Sequence, residues 1–139
     1  MNIALDASMA LSWLFGRQKP GEQGIADAAL DNLSRAEAFV PLLWHTEIAN
    51  ALLVAERRKL VTEAIVIDYL ERLAALPIEE DNLPPLLRRD QVMSLARRYD
   101  LTAYDAIYLE LALRKGAALA TFDARLAAAM RAAGGQVFE

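Results

Sequence analysis

Short apolar runs that alternate with longer helical stretches restrict the fold of this chain more than any other feature. Each run has the length of a buried strand and borders on an acid, a proline or a glycine. The runs cover residues 1–5, 36–40, 76–80, 117–121 and 136–138. Strands that alternate with helices indicate a parallel sheet covered on both faces. We therefore expect an α/β fold in which the carboxyl ends of the strands share one edge.

Helical periodicity fills the segments between these runs. The predicted helices cover residues 8–15, 25–33, 42–60, 62–75, 86–99, 101–113 and 122–133. Thr62 and Thr102 are suited to cap two of them. The 101–113 helix is apolar on nearly every side, which is typical of a helix buried between other elements. The 139 residues, of which 55% are hydrophobic, fit one compact domain over 1–139 with a sizeable core.

The composition excludes several kinds of site. The chain has no cysteine, which excludes disulfides and thiolate centres, and its single histidine, His45, argues against histidine-rich metal sites. The net charge of -4 has the wrong sign for a broad basic surface that grips nucleic acid, although clustered carboxylates that hold cations lower the net charge by themselves. No signal segment is evident and no apolar run approaches the ~20 residues of a membrane span. We expect a soluble cytoplasmic protein without a membrane partner.

Four acids occupy positions where ligands commonly bind in such a fold. Asp6 ends the first predicted strand, Glu47 interrupts the apolar stripe of the 42–60 helix, and Asp105 and Asp123 lie in helix first turns. Each has a structural alternative, because an aspartate can cap a helix and a glutamate at the edge of a stripe can reach solvent. Strand ends and the helix starts that follow them converge on one edge of a parallel sheet, so the four acids are expected to lie together.

Four carboxylates at one edge repel one another. At ~5 Å and an effective dielectric of ~20, each like-charged pair costs on the order of 3 kcal/mol. Such a cluster needs cations, and a ligand set of oxygen atoms suits Mg²⁺ or Mn²⁺. Phosphodiester hydrolysis is the reaction that most often uses these ions in an acidic pocket. Ser8 and Thr121 could add hydroxyl ligands or outer-shell hydrogen bonds, or they could cap helices, with Thr121 or Phe122 as the cap of the last helix.

Four motifs resemble, in order and spacing, those of PIN-domain ribonucleases. They are Asp6-Ala7-Ser8, Glu47-Ile48-Ala49-Asn50-Ala51-Leu52, Tyr104-Asp105-Ala106-Ile107-Tyr108 and Thr121-Phe122-Asp123. More narrowly, the chain resembles a VapC-type toxin of a toxin–antitoxin pair over essentially its whole length. The resemblance implies a three-layer, PIN-like fold with a central parallel sheet of about five strands. It also implies an endoribonuclease that depends on Mg²⁺ or Mn²⁺ and cleaves structured RNA such as tRNA or rRNA.

The resemblance further implies roles for individual residues. Asp6, Glu47, Asp105 and Asp123 would form the catalytic, metal-binding pocket, with Asp6 and Asp105 as the firmest ligands, and Asn50 would support it. A homodimer and a small antitoxin protein that covers the pocket are also implied. Two alternatives stay open: a housekeeping PIN nuclease of RNA maturation, and a non-catalytic binding module with the same fold whose acids only cap helices.

Several other residues have two interpretations. Three basic pairs could bind an RNA backbone, but each also lies in the last turn of a predicted helix, where cations suit the helix dipole: Arg57-Arg58, Arg97-Arg98 and Arg114-Lys115. Three aromatic residues could line a dimer or antitoxin surface, but core packing is the favoured interpretation: Trp13, Phe15 and Trp44. His45 is interpreted as a structural residue in a helix first turn rather than as a general base, and Glu110 could lie near the mouth of the pocket.

Overall fold

Four short parallel strands form the centre of the computed structural model, which describes residues 1–139. They are β1 (Ile3–Leu5), β2 (Ala38–Val40), β3 (Ile78–Glu80) and β4 (Ala118–Ala120), in the order β3-β2-β1-β4. Each lies inside a segment that was expected to be a strand, although a proline and two acids dilute the apolar pattern of β3. The predicted α/β class with a parallel sheet is confirmed.

The prediction of a fifth strand at 136–138 is wrong. Val137 makes only an isolated parallel bridge with Leu119. Leu119 N–H donates to the Gln136 carbonyl, and Phe138 N–H donates to the Leu119 carbonyl. Val137 is the only buried residue of the segment, so the apolar burial that would support a longer strand is missing. The sheet therefore has four strands rather than about five.

Seven helices pack around the sheet. They are α1 (Ala7–Phe15), α2 (Glu22–Asn32), α3 (Leu42–Arg57), α4 (Glu63–Ala74), α5 (Pro85–Tyr99), α6 (Ala103–Lys115) and α7 (Ala124–Ala132). All the predicted helices are present, and α2 begins three residues early because its polar first turn carries no apolar periodicity. The side chains of Thr62 and Thr102 accept hydrogen bonds at the starts of α4 and α6, as expected for caps. No helix has both the length and the hydropathy needed to span a bilayer.

Helix α6 lies in the centre of the core. Tyr108, Leu109, Leu111 and Ala112 are each at most 1% exposed. Burial of one large apolar side chain contributes about 1.5–3 kcal/mol, so these residues hold the helix firmly in place. The prediction that this helix is buried is confirmed. Asp105, in its first turn, is thereby attached to a rigid support.

Glu110, for which a place near the mouth of the pocket was left open, belongs instead to a buried ion-pair network. It is buried in α6 and pairs with Arg114 at 2.7 Å, while Arg114 also contacts Asp81 at 2.6 Å. Arg88 of α5 pairs with the same Asp81 at 2.7 Å, so two arginines and two acids neutralise one another. Burial raises the pKa of Asp81, but hydrogen bonds and the charges of the two arginines bring it below its usual value. Periodicity along one helix could not show that Glu110 has partners on other elements.

Candidate active site

The carboxyl ends of β1 and β4 meet at one edge of the sheet. Because the two strands are parallel and Leu5 lies opposite Ala120, the residues that follow them, Asp6 and Thr121, are neighbours. The Asp6 N–H extends the pairing by donating to the Ala120 carbonyl at 3.0 Å. Strand register thus brings residues from both ends of the chain into contact.

A cavity of about 480 Å³ opens at this edge. All four predicted acids line it: Asp6 after β1, Glu47 on α3, Asp105 on α6 and Asp123 at the start of α7. Ser8 and Asn50 line it as well, and Thr121 is buried and reaches the site through its bond to Asp6. The structure therefore brings together the seven residues that were predicted to form or support the acidic pocket.

Asp6 stands at the N-cap position of α1, yet its side chain makes no capping hydrogen bond. Its Oδ2 instead accepts from the hydroxyls of Thr121 at 2.6 Å and Ser8 at 2.8 Å. Neither hydroxyl contacts the second carboxylate oxygen, Oδ1. Burial raises the pKa of Asp6, the hydrogen bonds from Thr121 and Ser8 oppose that shift, and the charge of Asp123 adds to it. Helix capping therefore does not account for this side chain.

The two hydroxyls that hold Asp6 are fixed from the other side by the backbone after β4. Ser8 Oγ accepts from the Phe122 N–H at 3.1 Å, and Thr121 Oγ1 accepts from the Asp123 N–H at 3.0 Å. Each hydroxyl therefore accepts one hydrogen bond and donates its only proton to Asp6. These bonds tie the start of α7 to the end of β1.

Asp123 is itself the N-cap of α7, where its Oδ1 accepts from the Leu126 N–H at 2.9 Å. The expectation that Thr121 or Phe122 caps this helix is wrong, because the Thr121 hydroxyl is engaged with Asp6. Asp123 is exposed and lines the cavity, so it combines a capping role with a place in the acidic cluster.

The last two acids project from helices that pack into the core. Thr102 caps α6 by accepting from the Asp105 N–H at 3.1 Å, so the helix start does not depend on the Asp105 carboxylate. Glu47 is half-buried, and Tyr108 donates to its Oε1 at 2.5 Å. Sequence reasoning missed Tyr108 because it falls among the apolar residues of α6, and no local pattern indicates its partner on α3.

Burial and mutual repulsion raise the pKa of three of these acids, Asp6, Glu47 and Asp105. Burial raises the pKa of Glu47, and the charges of Asp6 and Asp105 raise it further against the hydrogen bond from Tyr108. Burial likewise raises the pKa of Asp105, with repulsion from Asp123 and Asp6 in the same direction. Mutual repulsion among carboxylates in one cavity is relieved by a bound cation or by protonation.

The donor set fits a hard divalent cation in chemistry and charge. Four carboxylates and the Asn50 carboxamide supply oxygen ligands and no sulfur or imidazole, which suits Mg²⁺ or Mn²⁺. No three acids lie close enough in the structure to hold an ion as they stand. Ligation by three of them therefore requires side-chain movement, which the exposure of Asp123 and the partial exposure of Glu47 and Asp105 allow.

Two further residues of the cavity were not found from the sequence. Arg17 and Phe122 both line it, and the Arg17 guanidinium stacks over the Phe122 ring, 4.3 Å from its centroid. The sequence places Arg17 in a polar loop and Phe122 within the last acidic motif at a helix start, and it assigns neither side chain a role in the site. Their contact joins residues more than a hundred positions apart, and no local signal predicts it.

The other residues with two interpretations lie away from this cavity. His45 Nε2 contacts Glu80 at 2.8 Å on the surface. Trp44 is 3% exposed and the Trp13 indole donates to the Ala26 carbonyl, so both pack as core residues. Phe15 is 45% exposed, and for this residue core packing is wrong. The basic pairs lie at the ends of α3, α5 and α6, where they suit the helix dipoles.

Comparison with known proteins agrees with this architecture. The PIN domain family model matches residues 3–131. The chain is 35% identical to ribonuclease VapC3 of Mycobacterium tuberculosis over 97 residues. The aligned region covers 70% of this chain and 68% of that protein. The structure of PAE2754 from Pyrobaculum aerophilum superimposes with a TM-score of 0.67 at 27% identity, covering 93% of this chain and 79% of that one.

FitAcB from Neisseria gonorrhoeae shares the fold, with a TM-score of 0.62 at 21% identity over 100% of this chain and 97% of that chain. The family match spans well over half of the sequence. This chain belongs to the PIN-domain family, and its resemblance to the VapC type is confirmed.

Proposed function

We propose that this PIN-domain protein is a divalent-metal-dependent endoribonuclease of the VapC type, with residues 1–139 forming a single PIN domain. The observation that carries the proposal is the convergence of four acids from four separate elements on one cavity. Helix capping accounts for only one of the four side chains, that of Asp123. The likeness to a protein named a ribonuclease supports the same activity.

The acids are proposed as the metal-binding and catalytic residues. Asp6, Glu47, Asp105 and Asp123 would hold Mg²⁺ or Mn²⁺, with Asp6 and Asp105 as the main ligands. A bound divalent ion would supply activation of a water molecule and neutralisation of charge on the phosphate. Asn50 faces the same cavity, where its carboxamide can orient a ligand or substrate oxygen.

The surrounding residues keep the acids in position. The hydroxyls of Ser8 and Thr121 hold one oxygen of Asp6, and Tyr108 holds one oxygen of Glu47. Each hydrogen bond leaves the other oxygen of its carboxylate for ligation. Such outer-shell partners typically contribute ~10–100-fold in metal affinity or activity.

Cleavage of RNA in the presence of Mn²⁺ tests the proposal. Asp6→Asn and Asp105→Asn should each retain about 1% or less of the wild-type rate, since loss of even an outer-shell partner costs ~10–100-fold. Asp90→Asn is the matched control, because Asp90 is exposed on α5 and has no ion-pair partner. Equal cleavage by the wild-type and the Asp6→Asn protein would refute the assignment.

The biological role proposed is that of a toxin that cleaves structured cellular RNA such as tRNA or rRNA, acts as a homodimer and is held silent by an antitoxin protein. Expression of the chain alone should arrest growth, and Asp105→Asn should abolish the arrest. An RNA-maturation nuclease cleaves RNA without arresting growth. A binding module of the same fold gives neither cleavage nor a melting temperature that responds to millimolar Mn²⁺. Light scattering of the purified protein tests the dimer.

A further inference from the structure

One cationic side chain faces the acidic cavity. Among the residues that line it, Arg17 alone carries a positive charge, opposite four acids. It follows Gly16, which ends α1 in a conformation with φ of 72°. The Arg17 side chain is 32% exposed, so part of it remains accessible from the cavity.

The guanidinium of Arg17 is fixed in place before any ligand arrives. Its Nε and Nη2 donate to Glu22 Oε1 at 3.1 Å and 2.8 Å. Its main-chain N–H donates to Gln23 Oε1 at 2.9 Å, and its planar group stacks on the ring of Phe122. A guanidinium has five N–H donors, and Glu22 takes two, so three remain for an incoming ligand. Nη1 makes no hydrogen bond within the protein.

The position of this cation is linked to that of Asp6. Phe122, which supports the guanidinium, donates its N–H to Ser8 Oγ, and Ser8 donates to Asp6. The linkage passes from arginine to aspartate through one ring and two hydrogen bonds. The linkage therefore ties the position of the cation to that of the proposed metal ligand.

A polyanion that enters this cavity meets strong repulsion from the acids. A divalent ion bound by the carboxylates would neutralise that charge at the scissile phosphate, but a neighbouring phosphate needs a cation of its own. Arginine suits this task, since its planar fork binds two phosphate oxygens at once. Resting on the proposed function, we infer that Arg17 is a substrate-binding residue that holds a backbone phosphate next to the one that is cleaved, with Phe122 as its positioning residue.

Steady-state cleavage of RNA with Mn²⁺ separates binding from chemistry. Arg17→Gln should raise KM about tenfold, as expected for loss of one charge-assisted contact, and should leave kcat within about twofold of wild type. Arg17→Lys keeps the charge but loses the planar fork and the stacking on Phe122. Its KM should lie between that of wild type and that of Arg17→Gln. Phe122→Leu should raise KM in the same direction as Arg17→Gln, but less. Lys19→Gln is the matched control, because Lys19 is exposed in the same loop and forms no ion pair.

Equilibrium binding gives a readout that does not depend on cleavage. A fluorescent single-stranded RNA is titrated into Asp105→Asn protein with and without Arg17→Gln at several salt concentrations. Loss of one phosphate contact should reduce the slope of log K against log salt by about 0.7. Lys19→Gln on the same background should leave the slope unchanged.

The outcomes distinguish this inference from the function on which it rests. If wild-type protein cleaves RNA while Arg17→Gln keeps both the wild-type KM and the wild-type salt slope, the role of Arg17 is refuted and the nuclease stands. An Arg17→Gln variant with lower kcat at unchanged KM also refutes it, because the residue then acts on chemistry rather than binding. If wild-type protein neither binds nor cleaves RNA, both proposals are wrong.

Discussion

Neutralising one acid of the cluster should stabilise the metal-free protein. The charge of Asp105 is repelled by two neighbours, Asp123 and Asp6, and its carboxylate is not needed to cap α6. Each like-charged pair costs on the order of 3 kcal/mol at ~5 Å and a dielectric of ~20, and solvent at this partly exposed site reduces that value. We expect Asp105→Asn to raise the free energy of unfolding by about 1–3 kcal/mol in EDTA at pH 7.5. For a chain of this size, that corresponds to a rise of about 3–10 °C in melting temperature.

The gain should depend on pH in a defined direction. The folded-state pKa of Asp105 is raised above its usual 3.8, so the folded protein binds the proton more tightly than the unfolded chain. The repulsive penalty is absent below the unfolded pKa and is fully present once the pH has risen through the folded pKa. The difference between Asp105→Asn and wild type should therefore shrink as the pH falls from 7.5 toward 4.

Thermal unfolding followed by circular dichroism measures both effects, with Asp90→Asn as the exposed control. Millimolar Mn²⁺ should reverse the order of stability, because it raises the melting temperature of wild type more than that of Asp105→Asn. A variant that melts below wild type in EDTA at pH 7.5 would contradict the reasoning. It would mean that the carboxylate contributes more through local contacts than it loses through repulsion.

Three further predictions concern the groups around the acids. Thr121→Val removes a buried donor to Asp6 and should lower the free energy of unfolding by about 1.5–3 kcal/mol in urea titrations. Thr121→Ser keeps the hydroxyl and should retain most of the wild-type stability. Equal losses in both variants would contradict a hydrogen-bonding role. Arg114→Met leaves Glu110 buried without its partner and should lower the free energy of unfolding by about 3–5 kcal/mol in the same titrations. A loss below about 1 kcal/mol would show that this ion pair does not stabilise the fold. In EDTA, wild-type stability should rise as the pH falls from 7 toward 5, because three cavity acids have raised pKa values; a steady fall over that range would contradict the shifts.

The parts of this architecture that follow from strand order were predictable from sequence. Asp6 follows one predicted apolar run and Thr121 ends another, and parallel strands bring such ends to one edge, so their meeting could be expected. The burial of α6 followed from its unbroken apolar pattern. The extent of strand pairing was harder to predict. The 136–138 segment has the composition of a strand but pairs at one residue only.

Contacts between side chains on distant elements could not be predicted. Tyr108 reaches Glu47 from another helix, and Arg17 reaches Phe122 from the far end of the chain. Both depend on how helices pack, which one-dimensional periodicity does not describe. The cap of α7 is Asp123 rather than Thr121 or Phe122 for a related reason. The Thr121 hydroxyl donates to Asp6 on another element, and the Asp123 carboxylate accepts the hydrogen bond from the Leu126 N–H.

The pairing of β1 with β4 determines when the candidate active site can assemble during synthesis. Asp6 leaves the ribosome more than a hundred residues before Thr121 and Asp123, which complete its surroundings. Until β4 emerges, one side of β1 has no neighbour and the carboxylate of Asp6 lacks one of its two hydroxyl donors. A nascent chain or a product truncated before β4 therefore has no assembled centre. For an enzyme proposed to attack cellular RNA, this arrangement delays activity until β4 and the start of α7 have been made.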